Sequence, residues 1–444
     1  MNPPIKELCG WGRHPVVRAE EREAEDLEGA SANASLSRGL GRSYGDASLP
    51  AESGGPVLGT RRADRILSFD PETGVLRAEA GLSLRALNEI FPARGWATPV
   101  SPGTQYVTLG GMVASDVHGK NHHVAGCFGE HVRALRLRVG DGRVLEIDGA
   151  SEPDLFRATL GGMGLTGHIL EVELQLERIP TFWIWRRSER VRDLDELIAS
   201  LRSASARSPF AAAWLDTTAR RTSLGRGIVT SGRYAEPHEA PVAPPRLHER
   251  VAIPFDLPGW FVGPWSIRLF NLLYFRAHGA RVREGVVHPQ PFFYPLDAVQ
   301  HWNRLYGRRG MVQYQCVVPV RDDLAIFRRL LEVVGRMGGA SPVSVIKDCG
   351  AVGRGTLSFP MPGMTLALDL PYRPHRTEAL IDALNELVIE AGGRIYLTKD
   401  ALTRREDFVR MEPRLARWNE LRRKWDPERR LTSALSQRLL DPAP

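Results

Sequence analysis

The hydrophobic and polar positions of residues 1–178 predict short strands and helices in alternation. Segments in which apolar and polar residues alternate are typical of half-buried strands, and they cover residues 76–81, 132–139, 143–147 and 169–176. Apolar residues at helical spacing predict a helix capped by Ser83 and ended by Gly95, a helix start at 109–117 and a short helix at 154–160. The Asp141-Gly142 pair between two of the strands predicts a β-hairpin.

Residues 179–393 change toward aromatic-rich strands and longer helices. Strands are predicted over residues 182–185 and 211–215, and helices over residues 194–201, 324–334 and 377–391. The proline-rich residues 235–245 predict a mobile loop. Residues 394–400 are predicted as a strand before a helical, arginine-rich end. We therefore expect three parts, 1–178, 179–393 and 394–444, the last of which returns to the first.

Residues 255–276 form an apolar segment with many aromatic side chains. The segment is too short, and with Arg268 and Asn271 too polar, to span a bilayer. A helix that begins near Pro264 could lie in a membrane interface with its arginines reaching toward water. It could also be a buried core helix with an aromatic flank, which is the commoner arrangement for such a pattern.

Composition narrows the class of protein. The chain has 444 residues, 43% hydrophobic and 25% charged, which is typical of a soluble globular protein of two or more domains. It has no apolar run long enough for a transmembrane helix and begins without a signal peptide, so a cytoplasmic location is expected. Its four scattered cysteines argue against a disulfide framework or a zinc site. A net charge of +7, with no basic stripe bearing aromatic residues, does not indicate nucleic-acid binding.

Lysine is rare in this chain: only five of the 59 basic residues are lysines. Positive surface charge is thus carried by arginine. A lysine inside a motif therefore suggests a function that arginine cannot perform. Unlike arginine, lysine is compact and can give up its proton. For Lys120, Lys347 and Lys399, which lie among apolar residues or glycines, a functional role and chance are equally balanced.

Two glycine-rich stretches give the strongest indication of function. The first is RGLGRSYGD at residues 38–46; the second is SPGTQYVTLGG at 101–111, followed by DVHGKNHH at 116–123. Dense glycines let a backbone approach a ligand closely and direct its N–H groups at an anion such as a pyrophosphate. The histidine, lysine and asparagine after the second loop add reactive groups beside it. Together the loops predict a dinucleotide-cofactor enzyme.

The flanks of Gly39 and Gly41 lack the strand and helix of a Rossmann phosphate loop. The two loops instead resemble the FAD-binding domain of the vanillyl-alcohol oxidase/PCMH superfamily. Further segments, from about residue 36 to 438, resemble the family of decaprenylphosphoryl-β-D-ribose 2′-oxidases within it: FGEHV (128–132), GGMGLTG (161–167), HWNRLYG (301–307), LSFPMPG (357–363) and YLTKD (396–400). The resemblance implies an α+β fold, with a two-part PCMH-type FAD-binding domain and an α+β substrate or cap domain whose sheet is largely antiparallel.

The resemblance also implies which residues bind FAD. These are Gly39, Leu40, Gly41, Arg42, Ser43, Tyr44, Gly45, Gly103, Thr108, Leu109, Gly110, Gly111, Ser115, Asp116, Val117, His118, Ile169 and Tyr396. Many superfamily members carry a histidine in the first loop that bonds covalently to the flavin, but Arg42 stands there. No cysteine lies near Thr104 for a second link. FAD is therefore expected to be non-covalent.

The substrate side follows from the same resemblance, which places Gln313, Gln315, Lys347 and Asp369 at the substrate together with His118 and Lys399. The expected reaction oxidises a secondary alcohol of a sugar by hydride transfer to the flavin while a base takes the hydroxyl proton. Lys399 or His118 is the expected catalytic acceptor, because burial beside positive charge lowers the pKa of a lysine. Mycobacterial members have a cysteine where Ala367 stands; the oxidation does not need that thiol.

The family's substrate is a polyprenyl-phosphoryl ribose, oxidised at its 2′-hydroxyl in the first half of an epimerisation to arabinose. A short-chain dehydrogenase/reductase partner would complete it, and residues 255–276 would give peripheral contact with the inner face of the membrane. A soluble alditol, aldose or lactone oxidase and a non-catalytic flavin-binding protein remain alternatives. No metal is expected: His118 and His122 have a helical metal-pair spacing, but Gly119 weakens a helix there, and turn-stabilising roles are expected for His122 and His123.

Overall fold

The N-terminal part of the chain, as far as the structure describes it, is built from short strands and short helices. A computed structural model describes residues 5–52, 55–243, 245–246, 251–319 and 324–441. Its first strands are β1 (Ile5–Cys9), β2 (Val16–Glu23), β3 (Leu36–Arg38), β4 (Val57–Gly59), β5 (Ile66–Phe69), β6 (Val75–Glu79), β7 (Trp96–Ala97), β8 (Val132–Arg138), β9 (Val144–Asp148), β10 (His168–Gln175) and β11 (Glu177–Arg178). The helices of this part are α1 (Leu27–Ser31), α2 (Leu84–Ile90), α3 (Leu109–Ala114), α4 (His122–Ala125) and α5 (Pro153–Thr159).

These strands form a mixed sheet in the order β1-β2-β4-β3 and an antiparallel sheet in the order β5-β6-β10-β8-β9. The four strands predicted from alternation are confirmed as β6, β8, β9 and β10, and β8 and β9 are the predicted hairpin. Ser83 caps α2 by accepting from the Ala86 N–H, and a 3-10 turn ends at Gly95 in the left-handed conformation. An apolar cluster between the five-stranded sheet and α2, α3 and α5 forms one core.

The remainder of the chain is dominated by one antiparallel sheet. Its elements are β12 (Ile184–Val191), α6 (Leu194–Arg207), β13 (Phe210–Leu215), β14 (Gly227–Tyr234), β15 (Val251–Ala252), α7 (Pro264–Ala277), β16 (Val282–Val287), α8 (Pro289–Phe293), β17 (Val299–Gln300), β18 (Met311–Val318), α9 (Ala325–Arg336), β19 (Ser344–Cys349), β20 (Gly363–Pro371), α10 (Arg376–Glu390), β21 (Arg394–Ile395), α11 (Arg405–Met411) and α12 (Leu415–Trp425). The sheet order is β16-β12-β14-β13-β19-β20-β18-β21. A second core lies between this sheet, α6, α9, α10 and the C-terminal helices.

The α+β fold with a largely antiparallel second sheet is confirmed. The helices predicted over 194–201, 324–334 and 377–391 are α6, α9 and α10. The strand predicted over 182–185 instead begins at Ile184, and the strand predicted over 394–400 ends at Ile395. The chain turns there, because the N–H groups of Lys399 and Asp400 donate to carbonyls three residues earlier. Part of the proline-rich loop lies outside the described residues, and the three-part division stays a prediction.

Helix α7 contradicts the buried-core interpretation of residues 255–276. It begins at the predicted Pro264, but only Ile267 and Asn271 are buried on it. Trp265 is 82% exposed and Trp260, just before the helix, is 77% exposed. The aromatic residues therefore face outward on a helix that is attached by one narrow edge. Among the described residues, no helix is long and apolar enough to cross a membrane.

Candidate active site

The first glycine loop leaves β3 and packs against the turn at residues 396–400. The Tyr44 N–H donates to the Thr398 carbonyl at 2.9 Å. A Cβ added to Gly45 would overlap the Asp400 carbonyl, and one added to Gly39 would overlap the Thr108 side chain of the second loop. Glycine is needed at both positions because the two loops and the C-terminal turn meet with no room for a side chain.

Backbone N–H groups of the first loop are left without partners. Within the described part of the chain, no acceptor bonds the N–H groups of the five residues 39–43. In the second loop, Gln105 is fully buried and neither polar atom of its side-chain amide has a partner. Residues 39–43 are half-buried, whereas Gln105 is fully buried. Because an unpaired buried polar group costs free energy, the Gln105 amide indicates a polar ligand, and the row of unbonded N–H groups in the first loop is open to the same ligand. A row of N–H donors suits a diphosphate, so the residues present fit a flavin dinucleotide.

The second loop is held differently. The N–H groups of Leu109 and Gly110 donate to the Leu82 and Ala80 carbonyls at 2.9 and 2.8 Å, and the Gly111 N–H donates to the capping Thr108 hydroxyl. These N–H groups are occupied within the protein, so their residues can offer a ligand surface contact but no free donor. A Cβ at Gly103 would meet nothing within 4 Å, which leaves that position open to a ligand.

Asp116 joins the second loop to distant parts of the chain. One carboxylate oxygen accepts from the Gly129 N–H at 2.8 Å, and the other accepts from the Ser358 hydroxyl. Burial raises the pKa of Asp116 to about 6, although both hydrogen bonds oppose the rise. Next to it, the Tyr396 hydroxyl donates to the Ser115 carbonyl at 2.9 Å. The Asp116 side chain is thus fully engaged within the protein.

Val117 and Ile169 are the remaining residues of the predicted flavin set. Both are largely buried, at 7% and 6% exposure, so they offer apolar contact surface and no polar side-chain atoms. Ile169 lies on β10, whose strand pairs with β8 and β6. Val117 and Ile169 both belong to the apolar cluster of the first core, so packing against the five-stranded sheet would hold them in place for contact with the flavin.

His118 lies at the centre of a polar cluster. Its Nδ1 is 3.1 Å from the Lys347 Nζ, and its Nε2 is 3.1 Å from the side-chain nitrogen of Gln315. Burial, with the charge of Lys347 next in importance, lowers the pKa of His118 well below its usual value. A neutral imidazole has one donor and one acceptor nitrogen, so an ammonium at Nδ1 places the ring hydrogen on Nε2. With its amide turned so that the oxygen faces Nε2, Gln315 accepts this hydrogen; the oxygen and nitrogen of an amide are nearly identical in shape and exchange places by such a turn.

Lys399 lies beside this cluster, with its Nζ 4.0 Å from the centre of the Tyr44 ring. Gln313 and Asp369 face each other across β18 and β20, and the Gln313 amide donates to one carboxyl oxygen of Asp369. The other oxygen of Asp369 is buried without a partner. Burial lowers the pKa of Lys399 and raises that of Asp369, because it disfavours charge on each; the attraction between the two opposes both shifts.

The three unusual lysines separate into two groups. Lys347 and Lys399 face the His118 cluster, and burial lowers the pKa of Lys347 to about 8. Lys120 instead donates to the Phe293 carbonyl at 3.2 Å, below the Phe292 ring, and burial lowers its pKa to about 7. Composition alone did not separate these two surroundings, because it contains no information on which residues pack around each lysine.

The neighbouring histidines have structural partners. The His122 Nδ1 accepts from the Gly350 N–H at 3.1 Å, and the His123 ring bonds the Ser208 carbonyl at 3.1 Å. Both bonds tie α4, which begins four residues after His118, to backbone far along the chain, which fits a stabilising role for the two histidines. Among the described residues, no group of three or more histidine, cysteine, aspartate or glutamate side chains could hold a metal ion.

Sequence reasoning missed three residues of this region. Trp11 stacks on the Arg42 guanidinium at 3.8 Å, Phe359 stacks on Tyr396 at 4.8 Å between ring centres, and Ser358 bonds Asp116. Phe359 and Ser358 lie in the LSFPMPG segment, whose likeness was noticed without a role for its residues. Trp11 has no neighbouring signal in the sequence, since only the fold brings it to the first loop.

The loops, the unpaired N–H groups and the adjoining polar cluster define a flavin-dependent oxidoreductase. The FAD binding domain family matches residues 30–148. Over 98% of the chain and 97% of the relative, the sequence is 34% identical to decaprenylphosphoryl-β-D-ribose oxidase of Mycolicibacterium smegmatis. The chain therefore belongs to the decaprenylphosphoryl-β-D-ribose oxidase family, and its cofactor is FAD.

Other relatives cover less of the chain. An uncharacterised protein of Streptomyces coelicolor is 36% identical over 81% of this chain and 100% of its own length. D-arabinono-1,4-lactone oxidase of Yarrowia lipolytica is 24% identical over 59% of this chain and 46% of its own length. The similarity to several oxidases agrees with the class that the site defines.

Proposed function

We propose that this enzyme oxidises the 2′-hydroxyl of a polyprenyl-phosphoryl ribose. The observation that carries the proposal is the gathering of His118, Lys347 and Lys399 with Gln315 and Asp369 beside the glycine loops. This cluster combines a neutral imidazole, amines of lowered pKa and hydrogen-bonding groups, which together suit a sugar alcohol. The name of the mycobacterial relative, with its similarity over nearly the whole chain, supports the particular substrate.

FAD, when bound, supplies the hydride acceptor for the carbinol carbon. Lys399 in its neutral form accepts the hydroxyl proton, since its lowered pKa gives it more free amine near neutral pH than an ordinary lysine has. His118, fixed between Lys347 and Gln315, orients the hydroxyl group. Lys347 contributes positive charge that stabilises negative charge developing at the site.

The substrate is tested by mixing purified enzyme with a short-chain polyprenyl-phosphoryl ribose without oxygen and following flavin absorbance. Bleaching with this substrate, and not with xylitol or an aldonolactone, is the expected result. Bleaching by the soluble compounds alone would favour the alditol, aldose or lactone oxidase alternative. No bleaching with any alcohol, in a protein that dithionite reduces, would favour a non-catalytic flavin protein. Addition of a short-chain reductase with NADH should then convert the keto product to the arabinose epimer.

The cofactor is proposed to be held without a covalent bond. Arg42 of the first loop lies against the rings of Trp11 and Tyr106. Its guanidinium offers no nucleophile for the flavin ring. Acid precipitation of the yellow protein should therefore leave the flavin in the supernatant. Yellow colour retained in a washed pellet would contradict this proposal.

Helix α7 is proposed to rest on a membrane surface near the lipid tail of the substrate. Residues 257–283 contain four arginines and no acidic residue, and the outward face of α7 carries Trp265, Leu269 and Phe270. Exposed aromatic residues beside arginines suit an anionic lipid interface.

The membrane proposal is tested by sedimentation with phosphatidylglycerol-containing liposomes. The double variant Trp265→Ser/Leu269→Ser should lose most of the association and keep bound FAD. Leu67→Ser is the control, because Leu67 is an exposed leucine on β5 in the other sheet. Association unchanged in the double variant would contradict the proposal.

A further inference from the structure

The Tyr306 side chain is a buried polar group that the proposed reaction does not use. Tyr306 ends the 3-10 turn Trp302–Tyr306, and β18 begins at Met311 after a short connection. It is 4% exposed, and its hydroxyl has no hydrogen-bond partner. A buried phenol usually finds a partner, so an unpaired one has a cost in free energy that calls for an explanation.

The surroundings of Tyr306 connect it to the catalytic cluster. Tyr306 packs in a small apolar cluster with Tyr44, Ile267 and Met311, and Lys399 lies over the Tyr44 ring of that cluster. Met311 begins β18, two residues before Gln313, which pairs with Asp369. The cluster that contains the phenol therefore touches α7 through Ile267 and Lys399 through Tyr44, and it adjoins through Met311 the face of β18 that carries Gln313.

Asp369 supplies a second unpaired group, opposite Gln313 on the face of β18 that also carries Met311. One of its oxygens accepts from Gln313, whereas the other is fully buried and has no partner. The negative charge of Asp369 is also one cause, after burial, of a raised pKa at both Tyr306 and Tyr44, which is consistent with their closeness. A buried acceptor and a buried donor are thus both unpaired, and the charge of the acceptor reaches the donor.

From these groups we infer that Tyr306 and Asp369 form a subsite for a sugar hydroxyl other than the one that is oxidised. A secondary alcohol is both donor and acceptor, so it can donate to the free oxygen of Asp369 and accept from the Tyr306 phenol. Asp369 was expected at the substrate from family resemblance, whereas the role of Tyr306 is new. The inference rests on the proposed oxidation of a sugar.

The subsite would select substrates by their hydroxyl pattern. A site built around buried hydrogen-bonding groups rejects an analogue that lacks the matching hydroxyl, because the groups then stay unpaired. The wild-type enzyme should accordingly prefer polyprenyl-phosphoryl ribose over its 3′-deoxy or 5′-deoxy analogue by about 100-fold in kcat/KM. Tyr306→Phe should lower kcat/KM for the ribose substrate about tenfold and leave the affected deoxy analogue almost unchanged.

The matched control is Tyr314→Phe. The Tyr314 phenol is also buried, but it donates to Asn385 at 3.1 Å in the core on the other face of β18. This variant should keep the preference between the ribose substrate and the deoxy analogues. Equal loss of kcat/KM on every substrate in Tyr306→Phe would make the phenol a packing group and overturn the inference.

Thermal unfolding without substrate gives a second readout that does not depend on the proposed reaction. Tyr306→Phe removes an unpaired hydroxyl and should raise the Tm, whereas Tyr314→Phe breaks a hydrogen bond and should lower it. A lowered Tm in Tyr306→Phe would mean that the phenol has a partner within the protein and would also overturn the inference. If the wild-type enzyme does not oxidise the ribose substrate, the proposed function is wrong. The comparison with deoxy analogues is then made on the sugar alcohol that does bleach the flavin.

Discussion

Two buried aspartates, Asp116 and Asp369, have opposite surroundings. Both are fully buried. Each oxygen of Asp116 has a donor, Gly129 or Ser358, so nothing is left for a ligand. Asp369 has one donor and one free oxygen. A hydrogen-bonded polar group stabilises the fold, whereas an unpaired one costs free energy. Asp116 therefore has a structural role, and Asp369 is placed to bind substrate.

The comparison extends to the regions around the two residues. Around Asp116, Tyr396 and Ser115 are bonded to each other and hold the second glycine loop. By contrast, the charge of Asp369 acts on Lys399 and on the Tyr306 phenol, whose hydroxyl is unpaired. The region around Asp116 is therefore a hydrogen-bonded support for the cofactor loops, whereas the region around Asp369 has polar groups that are not hydrogen-bonded within the protein.

The largest effect is expected from removing the base in the Asp369 region. Lys399→Ala should lower the rate of flavin reduction about 10²–10⁴-fold while FAD remains bound. Stopped-flow absorbance measures the rate, and Lys424→Ala is the control because Lys424 is an exposed lysine. Full turnover in Lys399→Ala with bound, reducible FAD would show that another group takes the proton.

The next effect concerns stability and contrasts the two aspartates directly. Asp116→Ala leaves a buried Gly129 N–H and the Ser358 hydroxyl without partners and should lower the free energy of unfolding by about 2–4 kcal/mol. Asp369→Ala leaves the Gln313 amide unpaired and removes the attraction to Lys399, which can respond by losing its proton, so this variant should cost about 1 kcal/mol. Denaturant unfolding of both variants measures the difference. Equal losses of unfolding free energy in the two variants would contradict the distinction between a structural Asp116 and a substrate-binding Asp369.

A smaller effect is expected in the pH dependence of turnover. Lys399 acts as a free amine, so kcat should rise with pH through its pKa. Asp369 raises that pKa and Lys347 lowers it, both against the larger effect of burial. Asp369→Asn should move the rising limb toward lower pH and Lys347→Met toward higher pH, each by about one pH unit. Shifts in the same direction in the two variants would mean that the rise of kcat with pH does not follow the titration of Lys399.

Parts of the fold and of the site were predictable because they depend on local sequence. Alternation identified β6, β8, β9 and β10, and Ser83 and Gly95 identified the limits of α2 and its following turn. The glycine loops indicated a dinucleotide cofactor, and the FAD domain is confirmed by the family match. Local sequence did not show that the N–H groups of Leu109 and Gly110 are occupied, because the carbonyls that accept from them come from residues outside the loop; the contact of these residues with FAD stays a prediction.

The sequence by itself determined the class of enzyme, since glycines, caps and alternating residues act over a few positions. Tertiary structure decided what those patterns leave open. Helix α7 has a core-like composition, but the neighbouring surface accepts only Ile267 and Asn271, so its aromatic residues face outward. Likewise, nothing in the chain order distinguishes Asp116 from Asp369. Whether a buried carboxylate is satisfied depends on donors brought from far along the chain, and only folding places them.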